Sequence, residues 1–598
     1  MTTEDALALD VEALRAKYRA ERDKRLRSDG NEQYREISGA FEHFVADPFA
    51  PKDFTRAPLT DDVEVAIVGG GFSGLLAGAR LRQVGVERIR IIENGADFGG
   101  TWYWNQYPGV QCDIESYIYL PLLEELGYMP KEKYSYGPEI REHTRRIGEH
   151  FDLYREACFQ TQVTALAWDA AAARWVISTN HHDRMTAKFV IMAIGPLSKP
   201  KLPGIAGIET FRGHMFHSSR WDYAYTGGDT NGNLTELRDK RVGIIGTGAT
   251  AVQCIPHLGE WAKELFVFQR TPSSIDVRGN RPTDPQWAAS LEPGWQQRRI
   301  ENFGIIVTGG SQDEDLVSDG WTEILRNLSG LADHSVSPMT PDEIAAQVEL
   351  ADFAKNTQVR ARVDEIVHDP STAESLKPWY RQFCKRPCFH DDFLATFNRP
   401  SVHLVDTQGR GVERITERGV VVDGAEYEVD CLILATGFEV GTEYTRRAGC
   451  EIYGRDGLTL SEKWGRQVAT FHGLISRGFP NCLFMGGIQS GVSPNFTELY
   501  NEQSQHVAYV IGRALRQGLQ TIEPTDDAEQ GWLHALAESN QGRTSFQLEC
   551  TPGYYNNEGR PGEGPGWFGG NYGGGAQAFF TIVRDWRDRD DFDGLETT

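Results

Sequence analysis

The stretch VEVAIVGGGFSGLLAGARLRQVG, residues 63–85, decides the fold of this chain. An apolar, β-branched run leads into a G-x-G-x-x-G pattern at Gly69, Gly71 and Gly74, and an amphipathic helical pattern follows. Glycines at this spacing allow a tight turn from strand to helix, close approach of a pyrophosphate, and close packing of the helix on the strand. The stretch therefore predicts the first βαβ unit of a dinucleotide-binding domain.

The next predicted strand indicates which dinucleotide binds there. It is IRIIEN, residues 89–94, and Glu93 lies nineteen residues after Gly74. An acid at this offset accepts hydrogen bonds from ribose hydroxyls and repels a 2'-phosphate. This first site is therefore expected to bind FAD or NAD.

A second glycine motif differs from the first in the residue at that offset. RVGIIGTGATAVQCIPHLG, residues 241–259, carries Gly246, Gly248 and Ala251, and the following strand, ELFVFQRTP, ends near Arg270. A guanidinium can bind a 2'-phosphate through two hydrogen bonds. The second site is therefore expected to bind NADPH, which implies hydride delivery to a flavin in the first site.

Two further stretches, KFVIMAIGPLSKP (188–200) and DCLILATGFEV (430–440), read as apolar strands at crossings between the two domains. We predict an α/β protein with two Rossmann-like dinucleotide-binding domains, a helical insertion and an N-terminal helical extension. The predicted boundaries are 1–60 for the extension, with a helix over 4–28; 61–195 and 433–598 for the FAD-binding domain, with an irregular Gly-rich tail from 552; 196–275 and 383–432 for the NADP-binding domain; and 276–382 for the insertion.

Composition narrows the possible partners and location. The 598 residues carry a formal net charge of −24, which disfavours nucleic acid and anionic membranes as partners. No apolar run is long enough to span a bilayer, and the N-terminal residues lack the pattern of a signal peptide. Nine thinly spread cysteines fit reduced thiols in the cytoplasm better than disulfides, and Cys384 and Cys388 lack the second pair that a metal site would need.

Other enzyme classes fit less well. Disulfide reductases need a redox-active cysteine pair near the flavin, whereas Cys112 stands alone in its region. The chain also lacks the G-x-S-x-G and H-E-x-x-H patterns of hydrolases.

Several stretches taken together, in this order, resemble the type I Baeyer–Villiger monooxygenases over about residues 60–500. They include GGTWYWNQYPGVQCDIESYIY (99–119), FRGHMFHSSRW (211–221), GTGATAVQ, FVFQRTP, CKRPCF, FNRPSVHLVDT (397–407) and ATGFE. FRGHMFHSSRW matches the family fingerprint F-x-G-x-x-x-H-x-x-x-W through Phe211, Gly213, His217 and Trp221.

The resemblance implies a reaction and its catalytic residues. NADPH reduces FAD, a C4a-peroxyflavin forms, and one oxygen atom of O2 is inserted next to a ketone carbonyl to give an ester or lactone. An anionic peroxide requires a fixed cation and a site closed to water. Arg386 matches the catalytic arginine of the family, and Asp113 matches the acid that orients it.

The resemblance also implies the cofactor contacts. For FAD they are Gly69, Gly71, Phe72, Gly74, Glu93, Thr101, Trp102, Tyr103, Trp104, Asp113, Tyr119, Val163 and Phe496. For NADPH they are Gln111, Cys112, Gly246, Thr247, Gly248, Ala249, Thr250, Ala251, Gln253, Arg270, Thr271, Lys385 and Tyr554, the last standing where many members have tryptophan.

The motif at 211–221 is expected to lie in a linker between the two cofactor domains. His217 and Trp221 would then act as a hinge or latch that couples NADP binding to domain closure, without transferring a proton.

Long N-terminal and C-terminal segments favour a large alicyclic, macrocyclic or steroid-like ketone, and Phe389, Phe438, Gln489 and Val492 are candidates for an apolar pocket. The expected partners are this ketone and O2, and the oligomeric state is left open. Two alternatives remain: a flavin monooxygenase that oxidises amines or sulfides, and a nucleotide-binding sensor without chemistry.

Overall fold

The computed structural model describes residues 9–329, 340–540, 543–563 and 570–598. Its core consists of two mainly parallel sheets flanked by helices, so the predicted α/β class with two Rossmann-like units is confirmed. The longer helices are Val11–Asp23, Phe72–Gln83, Gly137–His150, Ala249–Trp261, Trp295–Val307, Gly320–Ser329, Pro341–Ile366, Phe496–Arg516, Asp526–Ser539 and Gly575–Arg589. Shorter ones are Thr101–Trp104, Ser116–Tyr119, Leu123–Leu126, Tyr223–Thr226, Pro285–Ala289, Pro370–Leu376, Phe393–Thr396, Tyr444–Ala448, Leu460–Arg466 and Arg543–Glu549.

The first sheet is built around the strand Asp62–Val68, which lies between parallel neighbours on both sides. Its order is Glu451–Tyr453, Val163–Asp169, Arg174–Thr179, Arg184–Met192, Asp62–Val68, Ile89–Ile92 and Ala157–Cys158, with Cys482–Phe484 also paired to Arg184–Met192. Valine, isoleucine and alanine fill the buried central strand, as expected where both faces of a parallel sheet are covered. Its carboxyl end leads directly into the first glycine motif.

The second sheet has five parallel strands. Its order is Val402–Asp406, Glu264–Gln269, Arg241–Ile245, Cys431–Leu434 and His214–His217. This sheet forms the second Rossmann-like unit, which carries the second glycine motif, and Cys431–Leu434 is one of its strands. The predicted boundary at 432 between the NADP-binding and FAD-binding domains falls inside this strand. His214–His217 is the edge strand of the sheet, so the fingerprint motif is part of the second unit rather than a linker.

Small sheets connect more distant segments. Tyr34–Arg35 pairs with Leu202–Pro203, Ile275–Asp276 with Cys388–Phe389, and Ile522–Pro524 with Leu595–Thr597. Arg414–Ile415, Gly419–Val422 and Ala425–Glu428 form an antiparallel sheet beside the second unit. The pairing of Ile275–Asp276 fixes the CKRPCF loop close to the end of the strand that precedes Arg270.

The described parts of the insertion are largely helical, as the sequence predicts, while residues 330–339 lie outside the described residues. The insertion is anchored to the first unit by a buried ion pair. Arg299 Nε and Nη2 donate to the carboxylate of Glu115 at 2.6 and 2.8 Å. The long helix Pro341–Ile366 supports the CKRPCF loop, since Asp352 accepts hydrogen bonds from the backbone N–H of Gln382. Burial raises the pKa of Asp352 to about 6.

The helices of the two terminal segments differ in extent from the sequence-based prediction. The helix predicted over 4–28 is observed as Val11–Asp23, and residues 1–8 lie outside the described residues. It packs on the insertion through Tyr18, whose ring meets Phe353 at a centroid distance of 5.2 Å. The tail is irregular only at first, because its later apolar spacing forms the helix Gly575–Arg589, which buries Phe579 and Trp586. The stretch 564–569 of the predicted tail also lies outside the described residues.

One pair of cysteines contradicts the expectation of reduced thiols. Cys384 and Cys550 form a disulfide across a sequence separation of 166 residues, while the other seven cysteines are free and buried. The bond ties the CKRPCF loop to the C-terminal segment.

Across the described ranges, no helix combines the length and apolar character needed to cross a membrane.

Candidate active site

A cavity of about 1550 Å³ is lined by both glycine motifs. Most residues predicted to bind cofactor lie in its wall: Gly69, Gly71, Phe72, Glu93, Thr101, Trp102, Trp104, Gln111, Cys112, Asp113, Tyr119, Val163, Gly246, Thr247, Gly248, Ala249, Thr250, Gln253, Arg270, Thr271, Lys385, Phe496 and Tyr554, together with Arg386. The fold therefore brings together residues from both units, the CKRPCF loop and the C-terminal segment.

Three predicted contacts are not part of this wall. A Cβ on Gly74 would lie 1.9 Å from the carbonyl oxygen of Gly69, so this glycine permits close packing of the helix on the strand. Ala251 is fully buried in the helix Ala249–Trp261. The hydroxyl of Tyr103 donates to Asp47 at 2.6 Å.

The first turn has the shape that a pyrophosphate site requires. Gly69 adopts φ +112°, and a Cβ there would lie 2.4 Å from the carbonyl oxygen of Ala193. The carboxylate of Glu93 accepts hydrogen bonds from the N–H groups of Gly70 and Gly95, both at 2.6 Å. Burial raises the pKa of Glu93 despite these two donors. The acid is thus fixed at the end of its strand, beside the turn.

The turn of the second glycine motif has the same geometry, with open space beside it. Gly246 also adopts φ +112°, whereas a Cβ on Gly248 would meet nothing within 4 Å. The hydroxyl oxygen of Thr271 is buried and lacks a hydrogen-bond partner among the described residues. Open space at Gly248 and an unsatisfied hydroxyl nearby fit a dinucleotide phosphate and its ribose.

Gln253 connects the two units across the cavity. Its Oε1 accepts a hydrogen bond from Tyr107 Oη at 2.8 Å, and its Nε2 donates to the carbonyl oxygen of Gln111 at 2.8 Å. The side chain of Gln111 is held in turn by Tyr134 and Arg278. These contacts fix the spacing between the two glycine motifs.

Arg386 and Asp113 form an ion pair in this wall. Arg386 Nη2 donates to Asp113 Oδ1 at 2.6 Å, and Nε donates to Oδ2 at 3.3 Å. Trp321, from the insertion, lies under the guanidinium at 4.9 Å and donates its indole N–H to the backbone carbonyl of Asp113 at 3.1 Å. Burial opposes the charge of Arg386, but Asp113 together with Tyr555 and Tyr554 outweighs burial, and the pKa of the guanidinium is raised well above its ordinary value.

Arg270 lies among charged side chains, of which the sequence predicts only Lys385. Arg270 Nη1 donates to Gln33 Oε1 at 2.7 Å, and Nη2 lies 3.4 Å from Glu558 Oε2. Lys385 is close by, and burial, reinforced by the charge of Arg270, lowers the pKa of its ammonium to about 8. Gln33 and Glu558 belong to the two terminal segments, and no motif marks either of them.

The fingerprint motif stabilises the wall from behind. His217 Nδ1 accepts the backbone N–H of Ser219 at 3.2 Å, and burial with the charge of Arg220 lowers the pKa of the imidazole to about 3. Trp221 is 1% exposed and donates to Thr226 Oγ1 at 3.1 Å. Neither His217 nor Trp221 lines the cavity, and the same holds for Phe211 and Gly213.

Arg220 was not predicted, although it belongs to this motif. It lines the cavity, is 6% exposed, and stacks over Trp104 at 4.0 Å. Burial lowers its pKa to about 10. Of the apolar pocket candidates, Phe438 lines the cavity, whereas Phe389, Gln489 and Val492 do not.

Two βαβ glycine motifs on one cavity, with a partly buried Arg–Asp pair in the same wall, define a two-dinucleotide oxidoreductase. The family model described as pyridine nucleotide-disulphide oxidoreductase matches residues 66–302. Neopentalenolactone D synthase of Streptomyces avermitilis is 54% identical over 98% of this chain and 99% of its own. A Baeyer–Villiger monooxygenase of Streptomyces coelicolor is 50% identical over 98% of this chain and 96% of its own. Among solved structures, the polycyclic ketone monooxygenase of Thermothelomyces thermophila has a TM-score of 0.92 and 37% identity, with 99% of each chain covered.

The chain belongs to the Baeyer–Villiger monooxygenases. It is therefore a flavin- and NADP(H)-dependent enzyme that converts a ketone into an ester or lactone, as the sequence predicts.

Proposed function

We propose that the enzyme binds FAD in the first unit and NADPH in the second, and that it oxygenates a bulky polycyclic ketone beside Arg386. The observation that carries this proposal is the partly buried Arg386–Asp113 ion pair in the wall of a cavity that both glycine motifs share. The substrate class is supported by two relatives, one named for neopentalenolactone D synthesis and one titled a polycyclic ketone monooxygenase.

The residues present fit both cofactors. In the first unit, Gly69 and Gly71 would receive the pyrophosphate of FAD and Glu93 a ribose, while Thr101, Trp102 and Tyr119 line the cavity further on. In the second unit, Gly248 leaves room for the pyrophosphate of NADPH, and Arg270 and Lys385 supply cations for its 2'-phosphate. A bound flavin would supply the redox chemistry at this site, namely acceptance of hydride from NADPH and activation of O2 for transfer of one oxygen atom to the ketone.

Arg386 supplies a permanent positive charge where negative charge develops on the transferred oxygen. An arginine suits this position because it stays protonated at any working pH and donates several directed hydrogen bonds. A fixed donor in a site shielded from water stabilises a developing anion far better than the same donor in bulk water.

Asp113 holds Arg386 in place. Its carboxylate binds both Nε and Nη2, so the remaining guanidinium N–H groups keep a defined direction. Trp321 fixes the backbone carbonyl of Asp113 and covers one face of the guanidinium. The three side chains come from the first unit, the insertion and the CKRPCF loop, so the catalytic geometry depends on how these parts pack.

The test is an oxygenation assay on the purified protein with NADPH, O2 and a panel of ketones from monocyclic to polycyclic. We expect ester or lactone products, with the highest kcat/KM for polycyclic ketones, and FAD as the flavin released on denaturation. A preference for small monocyclic ketones would contradict the proposed substrate class. Amines and sulfides in the same panel test the alternative reaction, and N- or S-oxides without any ester would contradict the proposed chemistry.

A further inference from the structure

The carboxylate of Glu558 lies among the cations that we assign to the 2'-phosphate of NADPH. Its Oε2 is 3.4 Å from Arg270 Nη2, and its Oε1 is 3.7 Å from Lys201 Nζ. Tyr34 Oη donates to Oε1 at 3.0 Å. All four side chains line the cavity, as does Lys385.

Glu558 is charged in this position. It is 4% exposed, and burial alone would raise the pKa of its carboxyl group, but Arg270, Lys201 and Lys385 together lower it. Without Glu558 these three cations would lose the carboxylate that lies among them, and their like charges would repel one another in a partly buried site. The glutamate therefore stabilises the cation cluster when no coenzyme is bound.

The two terminal segments hold Glu558 there together. Asn557 and Glu558 both have positive φ, +52° and +55°, within the turn Tyr554–Gly559, and the side chain of Glu558 is buried there. Asn31 binds the side chain of Asn557, and Arg560 binds the carbonyl oxygen of Ser28. Tyr34 is fixed by the pairing of Tyr34–Arg35 with Leu202–Pro203, next to Lys201.

A carboxylate and a phosphate monoester are both anions that a guanidinium binds through paired hydrogen bonds. The contacts from Glu558 to Arg270 and Lys201 are long, at 3.4 and 3.7 Å, whereas its shortest contact is to the neutral hydroxyl of Tyr34. A doubly charged phosphate can therefore displace Glu558 from Arg270 at modest cost.

We propose that Glu558 is a specificity-determining residue that competes with the 2'-phosphate of NADPH for Arg270 and so limits the affinity for this coenzyme. The proposal rests on the assignment of Arg270 to the 2'-phosphate. NADH carries no 2'-phosphate, so it leaves Glu558 in place. The competition acts only on ligands that bear the phosphate.

The experiment measures dissociation constants of the flavin-loaded enzyme for NADP+, NAD+ and 2',5'-ADP by isothermal titration calorimetry. Glu558→Gln removes the charge and keeps an acceptor for Tyr34. We expect NADP+ and 2',5'-ADP to bind about tenfold more tightly, since one anion no longer competes near the phosphate, and NAD+ to change less than twofold. Glu563→Gln is the matched control, because Glu563 lies on the same segment but is 67% exposed and outside the cavity wall.

Tyr34→Phe provides a second variant, since it loosens Glu558 without changing any charge; it should tighten NADP+ in the same direction by a smaller factor. Unchanged or weaker NADP+ binding in Glu558→Gln, or equal tightening of NAD+, would overturn the proposal. Arg270→Ala distinguishes failure of the 2'-phosphate site from failure of the role proposed for Glu558. If this variant leaves the ratio of NADP+ to NAD+ affinity unchanged, the assignment of Arg270 to the 2'-phosphate is wrong. If Arg270→Ala abolishes that ratio but Glu558→Gln has no effect, only the role of Glu558 fails.

Discussion

Arg386 and Asp113 are separated by 273 residues in sequence, yet the guanidinium binds the carboxylate through Nη2 at 2.6 Å and Nε at 3.3 Å. Asp113 follows the first glycine motif, and Arg386 follows the helical insertion. The pair forms because the strand pairing of Ile275–Asp276 with Cys388–Phe389 brings the CKRPCF loop back to the cavity. With the proposed role of Arg386, we expect that oxygen transfer can be lost while coenzyme oxidation is retained.

Arg386→Ala should uncouple the two half-reactions. The variant keeps both glycine motifs, so NADPH oxidation should stay within a few-fold of the wild-type rate, while ester formation falls by about 100-fold or more, since a preorganised donor to a developing anion is lost. The measurement compares NADPH consumption, hydrogen peroxide release and ester yield in the same reaction. Arg418→Ala is the control, because Arg418 is 70% exposed. Retained ester yield in Arg386→Ala would contradict the assigned role.

Asp113→Asn should act through the same arginine. The amide removes the negative charge that orients the guanidinium, so ester yield should fall while the flavin stays bound. Because the two residues are in contact, their effects should not add. The double variant Asp113→Asn/Arg386→Ala should be no worse than Arg386→Ala alone, as measured by kcat for ester formation. Fully multiplicative losses would show that Asp113 acts independently of Arg386.

Lys385 makes NADP+ affinity depend on pH. Burial and the charge of Arg270 lower the pKa of its ammonium to about 8, so the group is charged below this pH and loses its proton as the pH rises through it. A bound 2'-phosphate favours the charged form, so the dissociation constant for NADP+ should rise by about tenfold between pH ~7.5 and ~9.5. NAD+ should show a flat profile.

Lys385→Arg tests this explanation directly, since a guanidinium stays charged over the whole range. The variant should keep its preference for NADP+ and lose the pH dependence. A pH dependence that persists in Lys385→Arg would assign it to another group near Arg270.

The sequence predicts what depends on short spacing. Gly69, Gly74, Glu93 and Arg270 are recognisable because a strand, a tight turn and a helix place them at fixed offsets. The family resemblance adds Arg386 and Asp113, whose proximity no spacing could show. The features of the fold and the site that the sequence predicts are those that one βαβ unit or one known motif determines.

The rest depends on contacts between distant segments. Glu558 and Tyr34 lie in terminal segments without a motif, and they meet at Arg270 only because the two ends pack together. The sequence does not predict the disulfide between Cys384 and Cys550, because a separation of 166 residues leaves no local pattern. The sequence predicts a linker at His214–His217 because this strand is only four residues long and shows no apolar alternation, and its place at the sheet edge depends on pairing with Cys431–Leu434.

His217→Ala should impair coupling without moving the pH profile. The imidazole is buried with a pKa lowered to about 3, so it is neutral over the working range and titrates in neither limb of the profile. Its loss removes the acceptor for the N–H of Ser219, which lies next to the cavity residue Arg220. We expect more hydrogen peroxide per NADPH, unchanged flavin content, and unchanged apparent pKa values in kcat against pH. A shifted limb with intact coupling would instead indicate acid–base catalysis.

Cys550→Ser should destabilise the enzyme at the catalytic loop. The disulfide closes a loop of 166 residues and ends next to Lys385, and disulfides typically contribute about 2–4 kcal/mol, largely by restricting the unfolded chain. For a chain of 598 residues the midpoint of thermal unfolding should fall by roughly 2–3 °C. Dithiothreitol should lower the midpoint of the wild type by a similar amount and leave that of Cys550→Ser unchanged. A wild-type midpoint that does not respond to reductant would show that this bond does not stabilise the fold.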